Sequence, residues 1–233
     1  MKGIPEHKDP ERIIETDFLD SEFVEIRSED GIFDVEMKYP LLHMENAEEQ
    51  CLVRREVYEQ LLVVAEKLAP KFKIRIWDAW RPFALQKELY LDYSEDIIRE
   101  FKLQNWPLKE KKSFIRKYVS DPTADRDVPP VHTTGGAVDV TLLDSTGSEL
   151  EMGSAFDEFT DRTKTSYYEK NGDTLIRHNR RILYNAMTEA GFTNLPSEWW
   201  HFDYWDRYWA YYMGKKAKYK GVFTKGEMED ERR

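Results

Sequence analysis

Two short segments, well separated in the chain, constrain its fold more than any other feature: His132-Thr-Thr-Gly-Gly-Ala-Val-Asp139 and Glu198-Trp-Trp-His201. Together they supply two imidazoles, one metal-binding carboxylate and one spare carboxylate, in a chain with only 5 histidines. A hydrolytic zinc site needs such a set. Three ligands come from His and Asp/Glu, a fourth position is left for water, and a neighbouring group takes the proton. A fold that uses these residues must bring the two segments together.

The local patterns suit that demand. In Ala137–Leu143, Val138, Val140 and Leu142 fall on one face of a strand and Asp139 and Thr141 on the other. Gly135 and Gly136 allow the backbone to turn and carry His132 back over the start of that strand. A His and an Asp seven residues apart would by themselves read as unrelated surface groups, and the second acid-plus-His element makes them candidate ligands. Around Glu198 and His201, the run of Trp199, Trp200, Phe202, Tyr204 and Trp205 reads as a buried strand. On a regular strand residues three apart face opposite sides, so a bulge would have to re-aim one of them.

A third constellation is Phe72-Lys-Ile-Arg-Ile-Trp-Asp-Ala-Trp-Arg-Pro82. Phe72, Ile74 and Ile76 alternate as in a strand, Asp78 is expected to continue their face, and Pro82 stops pairing and opens the next element. Arg81 then stands at a strand-to-helix junction. There it can form a structural ion pair with Asp78, or stabilise the oxyanion that develops when water attacks a carbonyl, and the two roles are compatible.

Five motifs occur in order: Trp77-Asp-Ala-Trp-Arg-Pro82, His132-x-x-Gly-x-Ala-x-Asp139, Met152-Gly-Ser-x-Phe-Asp157, Asn179-Arg-Arg181 and Glu198-Trp-Trp-His-Phe202. In this the chain resembles the D-alanyl-D-alanine dipeptidases of the zinc M15 peptidases, over most of its length. The resemblance implies one zinc ion per chain on His132, Asp139 and His201, with Glu198 as catalytic base and Arg81 as the transition-state arginine. It also implies that Asp157 receives the substrate's ammonium, that Asp78 orients Arg81, and that Tyr39 contacts substrate. By its own surroundings Asp157 would read as a solvated loop acid. Relatives commonly carry a serine just before the first zinc histidine, whereas this chain reads Pro129-Pro-Val131 and offers no hydroxyl there.

The function implied is zinc-dependent hydrolysis of D-alanyl-D-alanine or a similar D-amino-acid dipeptide, in cell-wall peptide turnover. Two alternatives stand beside it. One is a murein D,D-carboxypeptidase or endopeptidase on the same scaffold, which a secretion signal or wall-binding module would favour. The other is a non-catalytic peptide-binding relative, which would be expected to have lost Glu198, Arg81 or a ligand.

At 233 residues and 40% hydrophobic, the chain can bury a sizeable core in one domain. Helical spacing predicts a helix through Val57, Leu61, Val64, Ala65 and Leu68, and a second over about Phe83–Phe101. A third is capped by Asp173 or Thr174, buries Ile182, Leu183, Ala186, Met187 and Ala190, and ends at Gly191. Helices and strands do not alternate regularly, so the expected class is α+β: a compact domain with a mainly antiparallel central sheet flanked by helices and the zinc site in a cleft. The expected division is an N-terminal arm over 1–25, the peptidase domain over 26–213 and a charged tail over 214–233. The long charged stretch Leu89–Pro130 suggests a lid or an added helical subdomain.

A formal charge of −10 argues against nucleic acid or an anionic membrane surface as partner; the partner that the resemblance implies is a small D-amino-acid dipeptide. The charged N-terminus and the lack of a long apolar run lead to the expectation of a cytoplasmic protein. Cys51, the sole cysteine, reads as a packed thiol. His178 is expected to face solvent, His7 to lie in the exposed arm, and His43, between Leu42 and Met44, to be a satisfied core group. The aromatic run Tyr204–Tyr212 is expected to pack against the core, and Glu227–Arg233 to be a solvated, frayed tail.

Overall fold

Residues 1–10, 15–119 and 121–230 are described by a computed structural model. Its strands are β1 (Phe23–Ile26), β2 (Asp34–Val35), β3 (Cys51–Arg54), β4 (Phe72–Asp78), β5 (Ala137–Asp144), β6 (Thr193–Asn194) and β7 (His201–Asp203). Its helices are α1 (Lys38–Leu41), α2 (Arg55–Leu68), α3 (Phe83–Glu100), α4 (Leu108–Ile115), α5 (Tyr167–Lys170), α6 (Thr174–Glu189), α7 (Arg207–Met213) and α8 (Lys225–Asp230). One sheet runs β2-β4-β5-β7-β6, with β2 parallel to β4 and the other neighbours antiparallel; β1 and β3 form a separate antiparallel pair. The class is α+β, with the mainly antiparallel sheet the sequence implies.

The core lies between one face of this sheet and the helices α2 and α6. Val57, Leu61, Val64 and Leu68 of α2 and Leu183, Ala186 and Met187 of α6 meet Ile74, Ile76, Val138, Val140 and Leu142 of the strands. Each Val, Leu, Ile or Met among them stabilises the fold by about 1.5–3 kcal/mol through burial, which makes this layer the rigid support of the opposite face. Asp173 caps α6 by accepting from the amides of Leu175 and Ile176. Gly191, at φ 92°, lets the chain leave that helix.

The end of α3 and the stretch after it form a helical unit around Ile97, Leu103, Ile115 and Val119. Among the described residues, no helix is long and apolar enough to cross a membrane.

Three expectations need correction. His43 is exposed and has a φ of 59°, because the chain turns out to solvent after α1. The C-terminal stretch is no solvated tail: Val222 and Met228 are buried with Phe23, Leu52 and Trp80, and Trp80 Nε1 donates to the Val222 carbonyl at 2.8 Å. Its charges masked these apolar anchors; residues 231–233 lie outside the described residues. Asp78 does not continue the Ile74–Ile76 face. A bulge between Ile76 and Asp78 places Asp78 opposite Asp139, whereas Ile76 pairs with Val140.

Candidate active site

Strand register builds most of the site. Asp78 pairs with Asp139 across β4 and β5, and Asp139 pairs with His201 across β5 and β7. Directly opposed residues share a face, so the three form a row across the sheet on the side away from α2 and α6. His132 comes from a 3-10 turn, Val131–Thr134, that ends in Gly135 at φ 73°. A Cβ on Gly135 would lie 2.3 Å from Phe23, so only glycine fits this close return. Trp199 and Trp200 lie in a turn and not, as expected, in a strand. The turn, with the His201 amide donating to the Glu198 carbonyl at 3.3 Å, brings Glu198 to the His201 side without a bulge in β7.

The donor atoms converge. His132 Nε2 lies 3.1 Å from His201 Nδ1, His201 Nδ1 lies 3.0 Å from Asp139 Oδ1, and His132 Nε2 lies 3.4 Å from Asp139 Oδ2. Ligands at zinc distances in tetrahedral array are separated by about 3.3 Å, so these three residues fit zinc closely. The far nitrogens are committed elsewhere: His132 Nδ1 is 2.9 Å from the Ala79 carbonyl and His201 Nε2 is 2.8 Å from Asp203 Oδ1. With a proton on each far nitrogen, two lone pairs face each other at 3.1 Å, an arrangement that calls for a cation between them.

The electrostatics point the same way. Burial opposes charge on His201, yet Asp203 and Asp139 raise its pKa well above the ordinary value. Burial also opposes charge on Asp139, but His132 and His201 hold its carboxyl well below the usual range. A site that stabilises positive charge on the His201 imidazole favours exchange of that proton for a metal ion.

Glu198 Oε2 lies 3.9 Å from His201 Nδ1. Burial pushes its carboxyl up to about 8, with His201 pulling down and Asp139 and Asp157 adding to the rise. Arg81 donates from Nε and Nη2 to Asp78 Oδ2 at 3.0 and 2.7 Å, from Nη1 to Gln86 at 2.9 Å, and from Nη2 to the Tyr39 hydroxyl at 3.2 Å. Burial works against its charge, but Tyr39, Asp78 and Asp139 hold its pKa above the ordinary arginine value.

Asp157, a loop residue at φ 56°, is not the solvated acid its surroundings in sequence suggest. Tyr39 and Tyr93 both donate to its Oδ2, at 3.0 and 2.7 Å, and among the described residues Oδ1 has no partner. Burial pushes its carboxyl up to about 6 against the Tyr93 hydrogen bond. Tyr39, Arg81, Tyr93, His132, Asp139, Asp157, Glu198 and His201 line one pocket, so every sequence-derived candidate except Asp78 reaches it directly, and Asp78 does so through Arg81.

The family model for D-ala-D-ala dipeptidases, Peptidase_M15, matches residues 42–218. The chain belongs to this family. It is 32% identical over 172 residues to the D-alanyl-D-alanine dipeptidase of Synechocystis, covering 68% of this chain and 70% of that one. It is also 38% identical over 87 residues to the Escherichia coli enzyme of that name, covering 37% of this chain and 42% of that one. Among solved structures it is similar to VanYB in complex with D-alanine-D-alanine, with a TM-score of 0.43 and 16% identity, covering 79% of this chain and 87% of that one.

Within this member of the dipeptidase family, several residues at the site escaped sequence reasoning. Asp203 shares a strand face with His201 two residues earlier, a spacing that could have exposed it. Gln86 and Tyr93 are seven apart on α3, hence on one helix face. The Asn179-Arg180 motif acts at a distance. Asn179 donates to the Glu151 carbonyl, and Arg180 to the carbonyls of Met152, Lys164 and Arg162, which secures the loop carrying Asp157.

Proposed function

We propose that this chain is a zinc-dependent dipeptidase that hydrolyses D-alanyl-D-alanine or a similar D-amino-acid dipeptide. The observation that carries the reading is the convergence of two imidazoles and a carboxylate beside a spare carboxylate, in a pocket whose wall also holds Asp157 with one free oxygen. His132, Asp139 and His201 would hold one zinc ion. When bound, the metal supplies Lewis-acid chemistry, acidifying water and polarising a carbonyl.

The chain's own residues do the rest. Glu198 takes the proton of the attacking water and delivers it to the leaving amine, and a cation held beside it would oppose the rise that burial imposes on its carboxyl. Arg81, fixed by Asp78 and Gln86, places a preorganised charge where the oxyanion develops. The free oxygen of Asp157 takes the substrate ammonium, while Tyr39 and Tyr93 hold the other.

The proposal includes a cytoplasmic location and a part in cell-wall peptide turnover, which fractionation of the native cell and wall-peptide profiling of a deletion strain test. For the chemistry, metal analysis paired with D-Ala-D-Ala turnover decides. About one zinc per chain is expected, with activity lost in strong chelator and restored by zinc. A metal-free protein that turns over substrate in chelator would refute the reading.

A further inference from the structure

We propose that Tyr208, held in place by Arg207, binds the terminal carboxylate of the dipeptide. This deepens the dipeptidase reading and rests on it. A dipeptide brings a carboxylate into the pocket as well as an ammonium, and a buried carboxylate without donors is strongly disfavoured. Arg81, placed at the developing oxyanion, cannot take this carboxylate as well: it already donates to Asp78, Gln86 and Tyr39 and stands 3.8 Å from Asp139.

Tyr208 lines the pocket beside Pro130 and Val131. Arg207 fastens it there. Arg207 Nε donates to the Pro129 carbonyl at 2.9 Å, which ties α7 to the segment leading into His132, and Nη2 donates to the Tyr208 hydroxyl at 3.2 Å. The guanidinium carbon also sits 4.3 Å from the centre of the Tyr208 ring.

Two features of this pair point to an anion. Among the described residues Arg207 has no carboxylate partner, in a chain whose 45 acidic residues outnumber its 35 Lys and Arg. The Tyr208 hydroxyl accepts from Arg207 and donates to no described residue, so its proton remains for a ligand. A phenol that accepts from a guanidinium is polarised toward donation, and the arginine supplies the compensating charge behind it. Tyr208 is the binding residue and Arg207 its positioning residue.

The test compares D-Ala-D-Ala with D-alanyl-D-alaninamide, which keeps the scissile bond and lacks the terminal charge. The unaltered zinc enzyme should prefer the free acid. In Tyr208→Phe the KM for D-Ala-D-Ala should rise roughly 10-fold or more, as for loss of a hydrogen bond to a charged group, with a smaller change in kcat. The preference over the amide should collapse. Arg207→Met should act likewise and Arg207→Lys should restore part of the preference, a pattern that a purely structural role would not produce. A folded, zinc-loaded Tyr208→Phe that keeps the full preference overturns the inference; should that variant not fold, the Arg207 pair decides by the same criterion. Zinc-loaded unaltered protein that cleaves neither compound refutes the dipeptidase reading itself, and the inference with it.

Discussion

Asp203 Oδ1 lies 2.8 Å from His201 Nε2, on the side of the ring opposite the nitrogen that faces Asp139. The two residues follow each other at strand spacing on β7, so the register that delivers His201 to the site also delivers the carboxylate that orients it. Asp206 stands behind, accepting from the amides of Tyr208 and Trp209, and burial next to Asp203 pushes its own pKa well above the usual carboxylate range. Asp203→Ala should leave all three ligands in place and weaken zinc binding by roughly 10–100-fold, the usual effect of removing such a partner. Competition with a chromogenic chelator measures it. Unchanged affinity would mean that the sheet alone orients the imidazole.

Much of this centre was legible because its residues lie on short, regular periods. Strand alternation put Asp139 opposite Val138 and Val140, and two glycines announced the return of His132. What stayed hidden depends on cross-strand register and long-range contact. The bulge that turns Asp78 toward Asp139 has no signature in Phe72–Asp78, whose apolar alternation argues for the other face. The turn at Trp199-Trp200 is disguised by aromatic residues that favour strands. Asp157 looks solvated until Tyr39 and Tyr93, both distant in sequence, are brought to one of its oxygens. Val222 and Met228 were lost among charges because their partners, Phe23, Leu52 and Trp80, come from the other end of the chain.

Glu198 and His201 should separate by mutation. Glu198 sits 3.9 Å from the His201 nitrogen and outside the three-donor cluster. Glu198→Ala should therefore lower kcat by a factor of roughly 10² or more, the scale of general-base catalysis, while zinc stays bound. His201→Ala should lose metal and activity together. Metal analysis alongside turnover checks both, and near-normal turnover in Glu198→Ala would remove it from the base role.

The acid limb of activity should carry the mark of Asp157. Burial raises its carboxyl to about 6, so the anion proposed to receive the substrate ammonium is lost as pH falls through that value. kcat/KM for D-Ala-D-Ala should decline accordingly, chiefly through KM. Tyr93 donates to the charged carboxylate at 2.7 Å and thereby lowers its pKa. Tyr93→Phe removes that donor, so the anion becomes harder to form and the limb should move to higher pH. Profiles measured on both sides of pH 6 decide the matter; a limb that stays in place in Tyr93→Phe would belong to another group, such as Glu198 or a zinc ligand.

Substrate length gives the sharpest separation between a dipeptidase and a carboxypeptidase on the same scaffold. The Asp157 end of the pocket is walled by Tyr39 and Tyr93, with Tyr118 and Val119 of the α3–α4 helical unit beside them. Phe159 packs on both Tyr93 and Tyr118, at ring distances of 5.4 and 5.7 Å, and closes the unit against the loop that carries Asp157. An acetyl group or a further residue on the substrate would have to displace this wall, and would also replace the ammonium with a neutral amide, leaving the Asp157 carboxylate unpaired. Unpaired charge of this kind lets a polar pocket reject an analogue by factors of about 10⁴, so N-acetyl-D-Ala-D-Ala and longer peptides ending in D-Ala-D-Ala should be cleaved far more slowly than the free dipeptide. Asp157→Asn distinguishes the two contributions. If the carboxylate selects, this variant loses activity on the free dipeptide and narrows the gap; if the wall selects, the gap persists. Longer peptides cleaved as fast as the dipeptide by the unaltered enzyme would establish the carboxypeptidase alternative.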